Sequence, residues 1–215
     1  MHTVVTAVLR ASSIVPIVVC LAAFMVFTGW PAVSEEEGWI SLFDGSTLEG
    51  WRNARAPRAE NKWFVEDGAM TNVDHGNDIA TVKRFKDFDV KLEFKTVPEG
   101  NSGVYLRGRI EIQVLDSYGK EEVTNQDNGA IYGQFAPKIN ASRPAGEWNQ
   151  LEATIIGDEV TVRLNGIIIH DRQKLTEVTG GALPGKVTDP GVLLLQGDHG
   201  KVWYRNIMIR EIPEG

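Results

Sequence analysis

The sequence contains very little cysteine and no cluster of positive charge. Cys20 is the only cysteine in 215 residues, and it lies in an apolar N-terminal run. The rest of the chain has no thiol, which excludes disulfides and thiol chemistry there, so stability must come from the core alone. The formal net charge is -7, with lysine and arginine scattered along the chain. Nothing would neutralise phosphates, so nucleic acid is not expected as a partner.

The first 34 residues are predicted to be a secretory signal peptide and not part of the fold. Arg10 supplies a weak positive start, residues 14–27 are almost wholly apolar, and the small residues A-V-S at 32–34 precede three glutamates. This order is typical of a signal cleaved after Ser34. An uncleaved membrane anchor is the alternative, because the run is near the lower limit for a span. We expect an exported, periplasmic or extracellular protein without membrane contact after cleavage, and one domain over 35–215.

The predicted domain consists of short runs in which apolar and polar residues alternate. The clearest runs are 87–95, 101–116 and 202–211. A period of two indicates strands with one core face and one wet face. D-G at 67–68 and N-G at 165–166 are hairpin signals. With no convincing long helix and no internal repeat, the pattern predicts an all-β sandwich.

The stretch 101–116 reads N-S-G-V-Y-L-R-G-R-I-E-I-Q-V-L-D and is the most informative part of the chain. Its even positions are mostly apolar, with Ile110, Ile112 and Val114 expected in the core. Its odd positions place a phenol, guanidinium groups, a carboxylate and a carboxamide on one wet face. Gly108 is expected to mark a bend between two strands. The plain alternative is a solvated outer face held by salt bridges.

Several motifs in order along the chain resemble one known family. They are G-W-I-S-L-F-D-G-S-T-L-E-G-W from residue 38, N-S-G-V-Y-L-R-G from 101, I-E-I-Q-V-L-D from 110, G-A-I-Y-G from 129, G-E-W-N from 146, the L-N-G hairpin at 164–166, and L-Q-G-D-H-G from 195 followed by W-Y-R-N-I. Together they resemble the 3-keto-disaccharide hydrolase domain. The resemblance implies a concanavalin-like jelly roll of two antiparallel sheets, one of them concave and sugar-binding. It also implies a substrate whose sugar carries a ketone at C3.

A 3-keto sugar sets the chemistry that the candidate residues would perform. The ketone acidifies the C2 hydrogen, so a base can take it, form an enolate and expel the C1 substituent; water can then add. Glu111 and His199 are the expected acid and base, and Arg107 is expected to stabilise the enolate oxygen. The expected substrate-binding side chains are Glu93, Gln113, Tyr132, Gln196 and Asp198.

Other functions remain open from the sequence. A non-catalytic lectin-like module would use the same fold, and an ordinary glycosidase would use paired carboxylates. No cofactor is certain; a divalent metal is an open possibility, although no ligand spacing such as H-x-x-x-H occurs. The sequence leaves the aglycone, the linkage and the oligomeric state undetermined.

Overall fold

A computed structural model describes residues 1–2 and 38–213 of the chain. The predicted signal segment therefore lies outside the described residues, except for its first two. No helix in the described ranges is long and apolar enough to cross a bilayer. The described strands are, in chain order, β1 (Ile40–Ser41), β2 (Trp51–Asn53), β3 (Trp63–Glu66), β4 (Ala69–Asn72), β5 (Ile79–Thr81), β6 (Phe88–Thr96), β7 (Asn101–Leu106), β8 (Ile110–Leu115), β9 (Asn149–Ile156), β10 (Glu159–Leu164), β11 (Ile167–Lys174), β12 (Leu194–Leu195) and β13 (Val202–Glu211).

The strands form two antiparallel sheets. The larger sheet has the order β11-β10-β9-β6-β13-β4-β3, and β1 also pairs with β13. The smaller sheet has five strands in the order β2-β5-β12-β7-β8. The prediction of an all-β sandwich of two antiparallel sheets is confirmed.

Period-2 alternation places the core between the sheets. In β6 every second residue is buried and the intervening ones are half-buried. In β8 the buried apolar residues Ile110, Ile112 and Val114 belong to the main core cluster, as predicted. Their neighbours in sequence must point to the other side of the five-stranded sheet.

A tight turn separates β7 from β8 where the sequence predicts a bend. Arg107 and Gly108 both have positive φ angles, 55° and 67°. The amide of Arg109 donates to the carbonyl of Leu106 across the turn, over 3.0 Å. The alternation of β7 therefore stops at Leu106 and starts again at Ile110.

Strand β13 occupies the middle of the larger sheet. It is hydrogen-bonded to β6 along most of its length, to β4 at one end and to β1 at the other. Three segments from the first half of the described chain are thus joined through residues 202–211.

Candidate active site on the five-stranded sheet

A row of directly paired residues crosses the outer face of the five-stranded sheet. The register joins Arg52 to Ala80, Ala80 to Leu194, Leu194 to Tyr105 and Tyr105 to Glu111. Directly opposed residues project to the same side of a sheet. The row therefore brings a guanidinium at one edge and a carboxylate at the other onto one surface.

Glu111 lies at one end of this row, in a nearly dry environment. It is 3% exposed, and the Tyr105 hydroxyl donates a hydrogen bond of 2.8 Å to its carboxylate. Gly103 lies beneath the carboxylate, where any Cβ would clash with a carboxylate oxygen. The amide of Glu111 donates to the Thr179 hydroxyl over 2.9 Å, which fixes the backbone at that position.

Burial raises the pKa of Glu111 to about 7. The Tyr105 hydrogen bond and the charge of His199 lower it, while the charges of Asp78 and Asp198 raise it further. A carboxyl group in this range changes protonation state near neutral pH, as a general acid or base requires.

Asp78 is a second buried carboxylate close to Glu111. It accepts hydrogen bonds from the Gly197 amide, 3.2 Å away, and from Arg55 Nε, 3.1 Å away. Burial raises its pKa, and the charge of Asp198 adds to that effect. The site thus contains two buried carboxyl groups, Glu111 and Asp78, and the Arg55 guanidinium is ion-paired with Asp78.

Asp198 and His199 form an exposed pair beside the buried carboxylates. Asp198 Oδ1 lies 2.5 Å from His199 Nδ1, and about half of each side chain is exposed. The contact orients the imidazole and leaves its other nitrogen available to a ligand. An accessible imidazole next to a buried carboxylate is a suitable arrangement for two proton transfers.

The loop after β11 covers part of this surface. The Gly180 carbonyl oxygen lies 3.2 Å from the Tyr105 hydroxyl, and a Cβ added to Gly181 would lie 2.7 Å from that hydroxyl. Tyr132 is half-buried next to Gly180, and its amide donates to the Glu111 carbonyl over 3.1 Å. Tyr132 therefore lies at the margin of the site, with part of its side chain exposed.

Gln113 and Gln196 lie on the same outer face. Gln113 pairs with Gly103 across the β7–β8 hairpin, and the backbone amide of Gln196 donates to the Gly103 carbonyl. Gln113 Nε2 donates to Gln126 O over 3.2 Å, while its buried Oε1 accepts no hydrogen bond from described residues. Gln196 Nε2 is 3.5 Å from the Tyr105 hydroxyl, so the side-chain amide of Gln196 is only weakly engaged.

Comparison with known proteins decides the family. A family model for the 3-keto-alpha-glucoside-1,2-lyase-like domain matches residues 38–210, most of the chain. The chain belongs to this family. The predicted membership of the 3-keto-disaccharide hydrolase domain family is confirmed.

Relatives of this lyase-like domain support the same placement. A 3-keto-disaccharide hydrolase from Bacteroides thetaiotaomicron is 27% identical over 232 residues, covering 82% of this chain and 79% of the relative. The crystal structure of a candidate glycosyl hydrolase from Parabacteroides distasonis is 33% identical, with a TM-score of 0.70 over 82% of this chain and 84% of the other. A Bacillus licheniformis β-glucanase shares the fold alone, at 10% identity and a TM-score of 0.54 over 82% and 99%.

In this member of the lyase-like family, Arg107 does not face the candidate site. Its side chain is fully buried, and Nη2 lies 2.7 Å from Asp87 Oδ1. The other guanidinium nitrogens donate to the carbonyls of Lys86, Gly157 and Val187. Since Asp87 precedes β6 and Gly157 follows β9, the guanidinium ties the β7–β8 turn to the larger sheet. These contacts contradict the prediction that Arg107 stabilises an enolate oxygen in the site.

Glu93 is also placed elsewhere. It lies in β6, on the outer face of the larger sheet, and accepts a 2.6 Å hydrogen bond from Arg205 Nε. The Arg205 guanidinium in turn lies 3.9 Å from the ring centroid of Trp148. Glu93 belongs to a surface ion pair on the opposite side of the sandwich from Glu111.

Tyr105, Asp78 and Arg55 were not among the predicted site residues. Tyr105, like Glu111, occupies an odd position of the alternating stretch 101–116 and so lies on its polar face. This position in the pattern was sufficient to identify Tyr105 as a candidate. Asp78 ends a loop whose Asp and Asn content is explained equally well by turn formation. Arg55 lies in a polar loop and carries no local signal. In the described ranges, no group of three or more His, Cys, Asp or Glu side chains is arranged to hold a metal ion.

Tyr105→Phe should move the pH dependence of the site. The Tyr105 hydrogen bond lowers the pKa of Glu111, so its loss should raise that pKa and shift the acidic limb of kcat/KM to higher pH. A pH–rate profile of the variant checks this, since a purely structural loss would lower the rate without moving the limb. An unmoved limb would contradict control of Glu111 by Tyr105.

Proposed function

We propose that the chain is a carbohydrate-active hydrolase that cleaves 3-keto-glycosides by proton abstraction at C2. The observation that carries the proposal is Glu111: a nearly dry carboxyl group with a pKa of about 7, beside an accessible imidazole. A module that only binds sugar has no need for a carboxylate tuned to neutral pH. The family match and the names of the relatives support the substrate class.

The proposed reaction begins with ionised Glu111 taking the C2 proton. The electron pair left at C2 is delocalised onto the ketone oxygen at C3 as an enolate. When the enolate collapses, the C1–O bond breaks and the leaving oxygen takes a proton from protonated His199. Addition of water across the resulting double bond completes a net hydrolysis.

The remaining polar groups would position the sugar. The Gln196 amide and Asp198 are accessible for hydroxyl groups on the outer face, and Tyr132 offers an aromatic surface at its margin. Tyr105 donates to Glu111, so it holds the carboxylate in position and acts as a positioning residue.

A conventional glycosidase is the second candidate function. Asp78 is buried close enough for its charge to raise the pKa of Glu111. Two carboxyl groups of differing pKa flanking a glycosidic bond are the usual requirement for such an enzyme. The two candidates differ in their need for the C3 ketone.

A paired-substrate experiment tests the proposal. The mature domain is incubated with a 3-keto-glucoside and with its unoxidised parent. We expect cleavage of the keto sugar alone, because the C2 hydrogen of the parent is not acidic. Equal cleavage of both would favour the conventional glycosidase, and binding without cleavage of either would favour a lectin-like module.

We also propose that the protein is exported with cleavage after Ser34, on the signal-like order of residues 1–34. N-terminal sequencing of protein from the native host should then begin near Glu35. A protein that still begins at Met1 would contradict cleavage and favour the retained anchor.

A further inference from the structure

A cleft lies on the same side of the five-stranded sheet as the Glu111 site. Its volume is about 430 Å³, within the range of ligand-binding pockets. None of the described residues that line it is acidic, although the chain carries a net charge of -7. Five of the twelve arginines of the sequence line it: Arg52, Arg55, Arg84, Arg107 and Arg109.

Two of these arginines are structural, but only Arg109 keeps a charge that no ion pair with a described residue cancels. Arg107 is held by Asp87, and Arg109 donates to the carbonyls of Pro184, Arg107 and Asp189. Carbonyl oxygens satisfy the guanidinium hydrogens without cancelling the charge. Burial lowers the pKa of Arg109, and the nearby charge of Arg84 lowers it further. Positive charge therefore exceeds negative charge along this wall.

The other three arginines differ in how far they are engaged. Arg84 donates to the carbonyl of Pro190, and Arg55 is shared between Asp78 and the carbonyl of Gly181. Arg52 is half-buried in β2, and no hydrogen bond or ion pair joins its guanidinium to any described residue. Among the described arginines of the cleft, Arg52 is thus the one whose guanidinium has no partner and is available to a ligand.

The remaining walls of the cleft are mostly apolar. They are formed by Ala54, Pro57, Leu183, Pro184 and Val192. An inorganic anion would contact the arginines and leave these walls wet. An apolar ring carrying an anionic group would cover the walls and meet Arg52, so it matches the whole lining.

The cleft and the Glu111 site share one surface. Arg52 and Glu111 are the ends of the cross-strand row, four strand spacings apart, which is about 19 Å between their backbones. Leu183 lines the cleft, and the Gly180 carbonyl oxygen of the same loop lies 3.2 Å from the Tyr105 hydroxyl. Arg55 also lines the cleft and donates to the Gly181 carbonyl. Since both end side chains are long, a sugar with one attached ring can span the distance between them.

We propose that this cleft binds an apolar ring bearing a carboxylate, with Arg52 as its principal partner. The ring would be the aglycone of the 3-keto-glycoside, an identification that rests on the proposed function. Binding of the free aromatic acid does not depend on catalysis.

The first test measures binding alone. Isothermal titration compares 4-hydroxybenzoate with the neutral 4-hydroxybenzamide and with sodium sulfate. An ion pair that carries hydrogen bonds should favour the carboxylate over the amide by about tenfold or more. The preference should disappear in Arg52→Gln and persist in Arg58→Gln, a matched control because Arg58 is exposed and does not line the cleft.

Three outcomes would overturn the proposal. They are equal binding of the acid and the amide, sulfate binding as tightly as the acid, and identical behaviour of the Arg52 and Arg58 variants. The comparison of acid with amide on the unmodified protein decides even where Arg52→Gln fails to fold.

The second test uses the 3-keto-glucosides of the same two phenols. The ratio of kcat/KM for the acid over the amide should be about tenfold in the unmodified protein and approach one in Arg52→Gln. If neither compound is cleaved but the acid still binds through Arg52, the proposed function fails and the cleft assignment stands. If both are cleaved equally, the cleft assignment fails and the proposed function stands.

Discussion

Replacing Glu111 by glutamine is expected to lower turnover of a 3-keto-glucoside by about a hundredfold or more while the fold is retained. Glutamine keeps the shape and accepts the Tyr105 hydrogen bond, but it cannot take a proton from C2. In the unmodified enzyme kcat/KM should rise with pH through about 7, because Glu111 must be ionised to act as the base. Steady-state kinetics across this pH range measure both effects.

The same variant should be more stable than the unmodified protein at alkaline pH. The pKa of Glu111 is raised from 4.5 to about 7 by folding, so the folded state favours the protonated form. Stability of the unmodified protein therefore falls as pH rises from 4.5 through about 7, by on the order of 3 kcal/mol. Urea unfolding at pH 5 and pH 8 should show that Glu111→Gln lacks this loss.

Two further variants separate catalysis from general damage. Glu93→Gln is the matched control, since it removes a carboxylate from the opposite side of the sandwich, and it should leave turnover unchanged. His199→Ala should lower turnover but keep the acidic limb, because that limb reports Glu111. Full activity of Glu111→Gln would exclude it as the base.

Replacing Arg107 by alanine is expected to destabilise the fold by on the order of 3–5 kcal/mol. The change would leave Asp87 without its guanidinium partner and three carbonyl oxygens without their donor. Because domains are stable by only about 5–15 kcal/mol, a large fraction of stability would be lost. Urea unfolding measures the loss.

The matched control for this prediction is Arg163→Ala, in which an exposed arginine of β10 is removed. It should change stability by no more than about 0.5 kcal/mol. A stable Arg107→Ala protein with a selective fall in kcat would instead return Arg107 to the enolate role that the sequence suggested.

The outcome for Arg107 shows where strand parity ceases to apply. Alternation correctly assigns Ile110, Ile112 and Val114 to the core and places Glu111 on the other side. It fails at Arg107 because the residue belongs to the turn, and a positive φ breaks the period. The carbonyls that hold the guanidinium come from segments 21, 50 and 80 residues away, which no local pattern reports.

Glu93 shows a second limit of the sequence. Parity identifies it as pointing away from the core, but it does not tell which of the two sheets contains its strand. That assignment depends on pairing between distant strands, here β6 with β9 and β13. The partnership of Tyr105 with Glu111 likewise requires the register of the β7–β8 hairpin, although both residues stand out in the sequence.

The central position of β13 has a consequence for how the protein is made. Until residues 202–211 have left the ribosome, β6 and β4 each expose an unpaired edge, and the larger sheet cannot close. Pairings across such sequence distances form slowly. Exposed edges of this kind are also ready templates for pairing with another chain. We therefore expect nascent chains to depend on chaperones until translation has passed β13, and ribosome-bound chains halted before residue 202 to be protease-sensitive.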